Sequence, residues 1–139
     1  MRRNQNGFTL IEIIAVIIVL GILAGVAIPR YFAMQNDSRK AAVQGALAAG
    51  LANLNLAYAK FVTSGGRNAT ISGTPAAITG IGGTAQTVPS DLGDFTAAHA
   101  LDGTTNCKVT ISGKAGMTDW VSSLTSTQKE KSIACPWAS

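Results

Sequence analysis

The stretch GFTLIEIIAVIIVLGILAGVAIPRYF, residues 7–32, decides the fold of this chain of 139 residues. It contains 26 residues, of which only two are charged. A helix over residues 8–29 would rise roughly 33 Å, close to the ~30 Å hydrocarbon thickness of a bilayer. Because two arginines precede the run, the positive-inside rule predicts that this end lies in the cytoplasm and the remaining chain outside.

A second interpretation of this stretch is a secretory signal that is cut after the apolar run and discarded. The segment AGVAIP fits such a cleavage site. The residues up to Gly7, however, form a short, polar and basic leader, and the apolar run begins abruptly after them. This arrangement favours cleavage before the run, which would keep the run in the mature chain.

The helical pattern continues beyond Pro29. Gly65 and Gly66 would end the helix, so the sequence predicts one helix over residues 8–62, with a kink at Pro29. Its first half is apolar all round, and only lipid or further copies of the helix can cover it. Its second half has a single apolar face that can pack on a globular head. That face carries apolar residues at steps of three or four: Val43, Leu47, Leu51, Leu54, Tyr58 and Phe61.

The apolar run contains a carboxylate, Glu12, although an acid at the centre of a bilayer costs roughly 2.5–3.5 kcal/mol. A basic leader ends in Gly7, and Phe8, the residues Thr-Leu-Ile-Glu and a long aliphatic run follow, with a proline near its end. This order resembles the N-terminal signature of type IV prepilins and type II secretion pseudopilins. The resemblance implies an α+β protein with the type IV pilin fold, in which the second half of the long helix packs on a small antiparallel sheet.

The resemblance also implies how the chain is processed and assembled. A prepilin peptidase would cut between Gly7 and Phe8, removing residues 1–7, and would methylate the new amino group of Phe8. Glu12 would pair with this amine on a neighbouring subunit, which offsets the cost of burying either charge and fixes the axial register.

The implied locations and partners follow the same family. The precursor lies in the inner membrane with its head outside the cytoplasm, and the assembled subunit lies in an extracellular filament. The expected partners are copies of the chain itself, the inner membrane before assembly, the prepilin peptidase, an assembly platform protein and cytoplasmic motor ATPases.

A second, looser resemblance covers IPRYFAMQNDSRKAAVQGALAAGLANLNLAYAKF, residues 28–61. This stretch is similar to the mannose-sensitive haemagglutinin (MSHA-type) pilins of Gram-negative bacteria, which carry a Pro-basic-aromatic turn before an Ala/Gly/Leu-rich helix. We therefore divide the mature chain into an apolar half-helix, residues 8–32, and an amphipathic half-helix with a head, residues 33–139.

The head is predicted in less detail. Residues 63–106 lack strong periodicity and are interpreted as a variable connection between helix and sheet, with room for a short strand or turn of helix. CKVTIS alternates in the manner of a strand, DWVSSL and KSIAC are possible further strands, and GKAG and TSTQKEKS are predicted turns. We expect an antiparallel sheet of three or four strands lying on residues 43–62.

The head also contains both cysteines of the chain, Cys107 and Cys135. Outside the cytoplasm they are expected to form a disulfide, which would stabilise the head by roughly 3–4 kcal/mol. The family resemblance implies that region 107–135 is the disulfide-bounded region often exposed on filaments. Trp120 and Trp137 are either core aromatics of this lobe or exposed contact residues.

Catalytic and metal-binding functions are disfavoured. The chain has one histidine, His99, and no Cys/His metal spacing, so we expect no enzyme activity, no metal and no cofactor. Asp91, Asp94 and Asp102 lack EF-hand spacing and are interpreted as solvated loop acids rather than as a calcium site. Without residues 1–7, nine basic and seven acidic residues remain, so the charge does not indicate a nucleic-acid partner.

The leading hypothesis is a structural subunit of a type IV pilus that serves adhesion, motility or surface attachment. Two alternatives stay open. The chain could be a type II secretion pseudopilin of a periplasmic pseudopilus, or a membrane-anchored binding protein that does not polymerise. Glu12 separates the last class from the others, because a simple anchor has no use for it.

Overall fold

The computed structural model describes residues 7–74 and 76–138. It divides into two compact units, which meet in the sequence between Arg39 and Lys40. Helix α1, Leu10–Thr63, contains 54 residues and contributes to both units. The predicted helix is confirmed with its bounds shifted by two residues at the start and one at the end. Gly65 follows it with a φ of +89°, a left-handed conformation that suits a helix C-terminus.

Two antiparallel sheets form the rest of the second unit. The first has three strands in the order β1–β2–β3, and the second has four in the order β4–β5–β6–β7. Two short helices, α2 and α3, lie between β6 and β7. The bounds are β1 Arg67–Ser72, β2 Ala77–Ile81, β3 Gln86–Thr87, β4 Asp91–Leu92, β5 Phe95–Asp102, β6 Asn106–Gly113, α2 Thr118–Ser122, α3 Ser126–Lys129 and β7 Glu130–Ala134.

Both sheets contribute to a core against the second half of α1, and this core has two clusters of buried side chains. The disulfide cluster contains Leu54, Ala57, Phe61, Ile71, Ile78, Val88, Cys107 and Cys135. The α1–sheet cluster contains Val43, Ala46, Leu47, Ala97, Val109, Ile111 and Val121. Four residues of the predicted apolar face are buried, and Leu51 and Tyr58 are partly buried at its edges. The α+β architecture and the packing face of the helix are therefore as predicted.

The predicted strand DWVSSL is wrong, because these residues begin in helix α2. Val121 is buried in the α1–sheet cluster, and Trp120 and Leu124 pack against it, so a helical turn followed by a bend places all three on the core. The predicted turn TSTQKEKS is wrong in part, since it contains α3. Before α3, the Gln128 side-chain oxygen accepts a hydrogen bond from the Thr125 N–H at 3.1 Å, half of a capping box.

The interpretation of residues 63–106 as a connection is also wrong. This segment supplies the whole three-stranded sheet and two strands of the second sheet. Strands β3 and β4 have only two residues each, and β5 turns small residues such as Ala97 inward. Such strands give little alternation of large apolar residues, which is the signal that periodicity depends on. The predicted strands at CKVTIS and KSIAC are confirmed as β6 and β7, and GKAG leads into a turn.

Candidate functional site

The N-terminal end of α1 contains the residues that the sequence singles out. Gly7 and Phe8 precede the helix, and Glu12 lies in its first turn. The predicted leader lies outside the described residues apart from Gly7. The Thr9 backbone oxygen accepts hydrogen bonds from the N–H groups of Glu12, at 3.1 Å, and Ile13, at 3.3 Å. These two contacts begin the helix immediately after Phe8.

Thr9 is a residue of this site that the sequence reasoning missed. Its hydroxyl oxygen accepts a hydrogen bond from the Glu12 N–H at 3.4 Å. The signal was available, because Thr-x-x-Glu before an apolar run is the sequence of a capping box. A carboxylate in the first turn also interacts favourably with the positive end of the helix dipole. Glu12 therefore has a local role at the helix start in addition to any role between subunits.

The first unit exposes an apolar surface on every side. All its large apolar side chains between Phe8 and Met34 are exposed, from 44% at Ile14 to 80% at Phe8. By length and composition, α1 can cross a membrane. A soluble monomer rarely exposes contiguous apolar patches of more than a few hundred Å². This surface therefore requires a covering of lipid or protein.

Three small or helix-breaking residues lie along the same surface. A Cβ atom added at Gly21 or Gly25 would meet no atom within 4 Å, so nothing in the single chain demands glycine at either position. Pro29 lies inside α1. The kink at Pro29 stays a prediction, as does close helix approach at the two glycines.

In the head, a disulfide joins Cys107 and Cys135, with the Cα atoms 4.9 Å apart. Both cysteines are buried in the disulfide cluster. Trp137 packs at the edge of this cluster, with its ring centroid 5.4 Å from that of Tyr58. Trp120 makes an edge-to-face contact with Phe95 at 6.1 Å beside the other cluster. Both tryptophans are half-buried, so each packs against a core cluster with one part of its ring and exposes the other part to solvent.

Two of the remaining polar candidates, Asp91 and His99, make contacts within the head. Asp91 accepts a hydrogen bond from the Lys114 ammonium at 2.6 Å and another from the Gly93 N–H at 2.9 Å. These contacts, the Lys114 bond foremost, lower the pKa of the Asp91 carboxyl. His99 is buried and bonded to the backbone of α1. Within residues 7–74 and 76–138, no three His, Cys, Asp or Glu residues are grouped to hold a metal ion.

The comparisons with known proteins concern the same N-terminal end. A family model described as the prokaryotic N-terminal methylation motif matches residues 2–28. The type II secretion system core protein G of Pseudomonas aeruginosa is 38% identical over 55 residues, which are 40% of this chain and 39% of that protein. The type IV major alpha-pilin and fimbrial protein Q of Moraxella bovis are each 50% identical over 46 residues, 33% of this chain and 29% of each relative.

The matched stretches thus span less than two fifths of the length of these relatives. No solved structure matches the chain. The N-terminal resemblance to type IV pilins and type II secretion pseudopilins is confirmed over the matched residues. The narrower likeness to MSHA-type pilins stays a prediction.

Proposed function

We propose that the chain is a structural subunit that polymerises into a type IV pilus filament for adhesion, motility or surface attachment. The observation that carries the proposal is the exposed apolar surface of the first unit from Phe8 to Met34, which contains Glu12 and lies largely within the residues 2–28 that match the methylation motif. Before assembly, lipid of the inner membrane covers this surface. In the filament, the same surface of neighbouring copies replaces the lipid, and the head lies outside the cell.

The motif supports processing at the predicted position. We propose that a prepilin peptidase cuts between Gly7 and Phe8 and methylates the Phe8 amine. Both residues precede the first helical residue, Leu10, so the scissile bond is not part of the helix. A peptidase can bind an extended segment there without unwinding α1. A platform protein and cytoplasmic motor ATPases complete the proposed partners, and we expect no catalysis by the chain itself.

Glu12 supplies the charge that pairs with the Phe8 amine of a neighbouring subunit. Among the described residues of the single chain, none forms an ion pair with its carboxylate. In a packed filament core an unpaired amine costs several kcal/mol, so only one axial stagger between two subunits avoids the penalty. Pairing thus selects the register of the polymer, while apolar packing supplies most of the association energy.

The test separates the charge of Glu12 from its role at the helix start. Glu12→Gln keeps the capping-box chemistry, because Gln also fits that position, and removes the charge. Glu12→Val removes both. Glu130→Gln is the matched control, since Glu130 is the only other glutamate in the chain. Filaments sheared from the surface are quantified, and membrane insertion is checked by fractionation.

We expect both Glu12 variants to insert in the membrane and to yield at least tenfold fewer filaments than the Glu130→Gln control. This corresponds to about 1.4 kcal/mol or more of lost assembly energy. Normal yield from Glu12→Gln would refute charge pairing. If only Glu12→Val failed, the helix start rather than the charge would be what assembly needs.

The second candidate, a periplasmic pseudopilus, is favoured by one observation. The relative with the longest matched stretch is a type II secretion system core protein, at 55 residues against 46 for the pilins. The two functions differ in where the polymer lies. Peptides of this chain in sheared surface filaments support the pilus, whereas their absence together with loss of a secreted protein on deletion supports the pseudopilus. A chain found only as a membrane-bound monomer would support the non-polymerising anchor.

A further inference from the structure

The only histidine of the chain forms a polar link between α1 and the four-stranded sheet. His99 lies in β5 with its side chain 7% exposed. It pairs across the sheet with Val109 of β6, which is fully buried. Its Nε2 atom lies 2.9 Å from the backbone oxygen of Gly50 in α1. The imidazole therefore bridges two elements that are otherwise held together by apolar packing.

This contact fixes which ring nitrogen carries the hydrogen when the ring is neutral. A carbonyl oxygen can only accept a hydrogen bond, so Nε2 must carry the hydrogen and donate it. In the neutral ring, Nδ1 then has a free lone pair. Nδ1 is buried and has no hydrogen-bond partner among the described residues. A proton added at Nδ1 would create a buried cation whose second N–H has no acceptor, and such a group costs several kcal/mol.

No charged side chain compensates for that cation. The part of α1 that faces the ring has no ionisable group other than Tyr58 between Val43 and Lys60. On β6, Lys108 alternates with the buried Val109 and therefore points to the other face of the sheet, towards Glu130 at 4.0 Å. Arg67 on β1, Asp102 on β5 and Asp91 on the two-residue β4 lie at strand ends. On β7, Glu130 lies opposite Thr110 and so on the face of Lys108, whereas Lys131 lies opposite Val109 and so on the face of His99. Lys131 is exposed and positive, so it offers no compensation for a charged imidazole. Burial consequently lowers the pKa of His99, offset only in part by the Gly50 bond.

A cavity of about 400 Å³ lies beside this strand, and His99 contributes to its wall. The other lining residues are uncharged and include Thr74, Val88 and Ser90. The Nδ1 atom itself has almost no accessible surface. Because the cavity adjoins β5, a small outward movement of this strand would let water reach Nδ1.

We infer that His99 is an acid-sensitive latch between β5 and α1: the neutral ring holds the sheet on the helix, and protonation at Nδ1 releases β5 while the disulfide cluster stays closed. The latch is a property of the single chain and holds whether or not the chain polymerises. The disulfide cluster is spared because it contains no titrating group and is tied by Cys107–Cys135.

The direction of the effect follows from linkage. The folded pKa of His99 is lowered from its ordinary value of 6.5, so the open state binds more protons than the closed state below pH 6.5. The stabilising contribution is fully present above pH 6.5 and is lost as the pH falls through the folded value. One proton taken up per opening raises the opening constant up to tenfold per pH unit. Carboxylates titrate near pH 4, so the range from pH 6.5 to 4.5 reports mainly on the histidine.

The test uses the full chain in detergent micelles. Carbon-13 labelling of histidine gives a single imidazole signal, whose titration midpoint is measured directly. Amide hydrogen exchange at pH 7.0 and 5.0, corrected for the intrinsic exchange rate, then gives the opening constants of β5 and of the disulfide cluster. His99→Gln keeps a donor for the Gly50 oxygen and cannot titrate. Lys108→Gln removes a cation of the adjacent strand β6 but keeps the histidine.

We expect a midpoint below 6.5. Between pH 7.0 and 5.0, opening of β5 should increase by at least fivefold in the wild type and in Lys108→Gln, but not in His99→Gln. Opening around Ile71 and Ile78 should stay unchanged. A midpoint at or above 6.5, or equal pH dependence in His99→Gln, would overturn the latch. If His99→Gln does not fold, the wild-type midpoint and the contrast between β5 and the disulfide cluster still decide the question.

Discussion

Gly50 is the position at which the approach of the sheet to α1 can be tested most sharply. A Cβ atom added there would lie 2.9 Å from Cγ1 of Val109 and 3.3 Å from Cβ of Ala97. Val109 is fully buried and β-branched, and its strand is paired on both sides. It cannot turn aside, so the sheet must move. By contrast, a Cβ atom added at Gly45 of the same helix meets nothing within 4 Å.

The two substitutions to alanine form a matched pair. Each replaces glycine in a helix interior, which stabilises the helix by about 1 kcal/mol. Only Gly50→Ala adds the cost of overpacking, roughly 1–3 kcal/mol. The helix contribution cancels in the difference, so Gly50→Ala should be less stable than Gly45→Ala by roughly 1–3 kcal/mol. For a unit of about 100 residues, 2 kcal/mol corresponds to roughly 8–16 °C in Tm.

The assay is thermal and urea unfolding of the full chain in detergent micelles, followed by tryptophan fluorescence. Trp120 packs on the α1–sheet cluster, which contains the Val109 and Ala97 that approach Gly50, so its fluorescence reports on that cluster. We expect Gly45→Ala at or above wild-type stability and Gly50→Ala at or below it, by about 0–2 kcal/mol once the helix gain is subtracted from the overpacking cost. A Gly50→Ala chain as stable as Gly45→Ala would show that the sheet does not lie this close to the helix, and would also remove the basis for the His99 contact.

Two further predictions concern the head. Cys107→Ser opens the loop of 27 residues between the cysteines and should lower the free energy of unfolding by roughly 3–4 kcal/mol. The variant should be digested faster than the wild type, and adding a reductant should accelerate digestion of the wild type only. Unchanged protease resistance of the variant would contradict the prediction. Lys114→Met should raise the pKa of Asp91 towards 3.8, its ordinary value, because the Lys114 hydrogen bond is the main cause of the lowering. In the wild type, the stabilising contribution of the ion pair is present above pH 3.8 and lost as the pH falls through the lowered value. NMR titration of the Asp91 carboxyl measures the pKa in the wild type, in Lys114→Met and in the control Lys131→Met. An Asp91 midpoint that does not move in Lys114→Met would exclude the ion pair.

The helix and its packing face could be predicted because both depend on long, regular patterns. The apolar run leaves few alternatives to a helix over residues 8–29, and a stripe with steps of three and four can have only one buried face. The buried Val43, Leu47, Leu54 and Phe61 follow that stripe. The small residues Ala46, Gly50 and Ala57 are also buried between them, although their size gives no hydrophobic signal. Their burial depends on the sheet that packs against α1, so it could not be predicted from the helix pattern alone.

The strands of residues 67–102 could not be predicted for a related reason. Their inward side chains include Ala97 and His99, which a periodicity argument treats as neutral or polar. His99 is buried because its Nε2 atom finds the Gly50 oxygen, a contact between residues 49 positions apart. No local pattern can reveal such a pairing. Thr9 at the candidate site is the opposite case, because its capping signature, Thr-x-x-Glu, is local and could have been recognised in the sequence.

The two halves of α1 use different residue classes for different surroundings. The head half places Ala46, Gly50 and Ala57 where β-strands must approach the helix axis, and their small side chains leave room for Val109 and its neighbours. The first half instead carries long branched side chains on every side, which gives no single face on which a sheet could lie. A surface of this kind can be satisfied equally by lipid and by identical helices, because both are apolar and neither demands a particular rotation. In the assembly that we propose, apolar packing alone would therefore leave the axial position of each subunit undetermined, and a charge at one defined height, such as Glu12, would fix it.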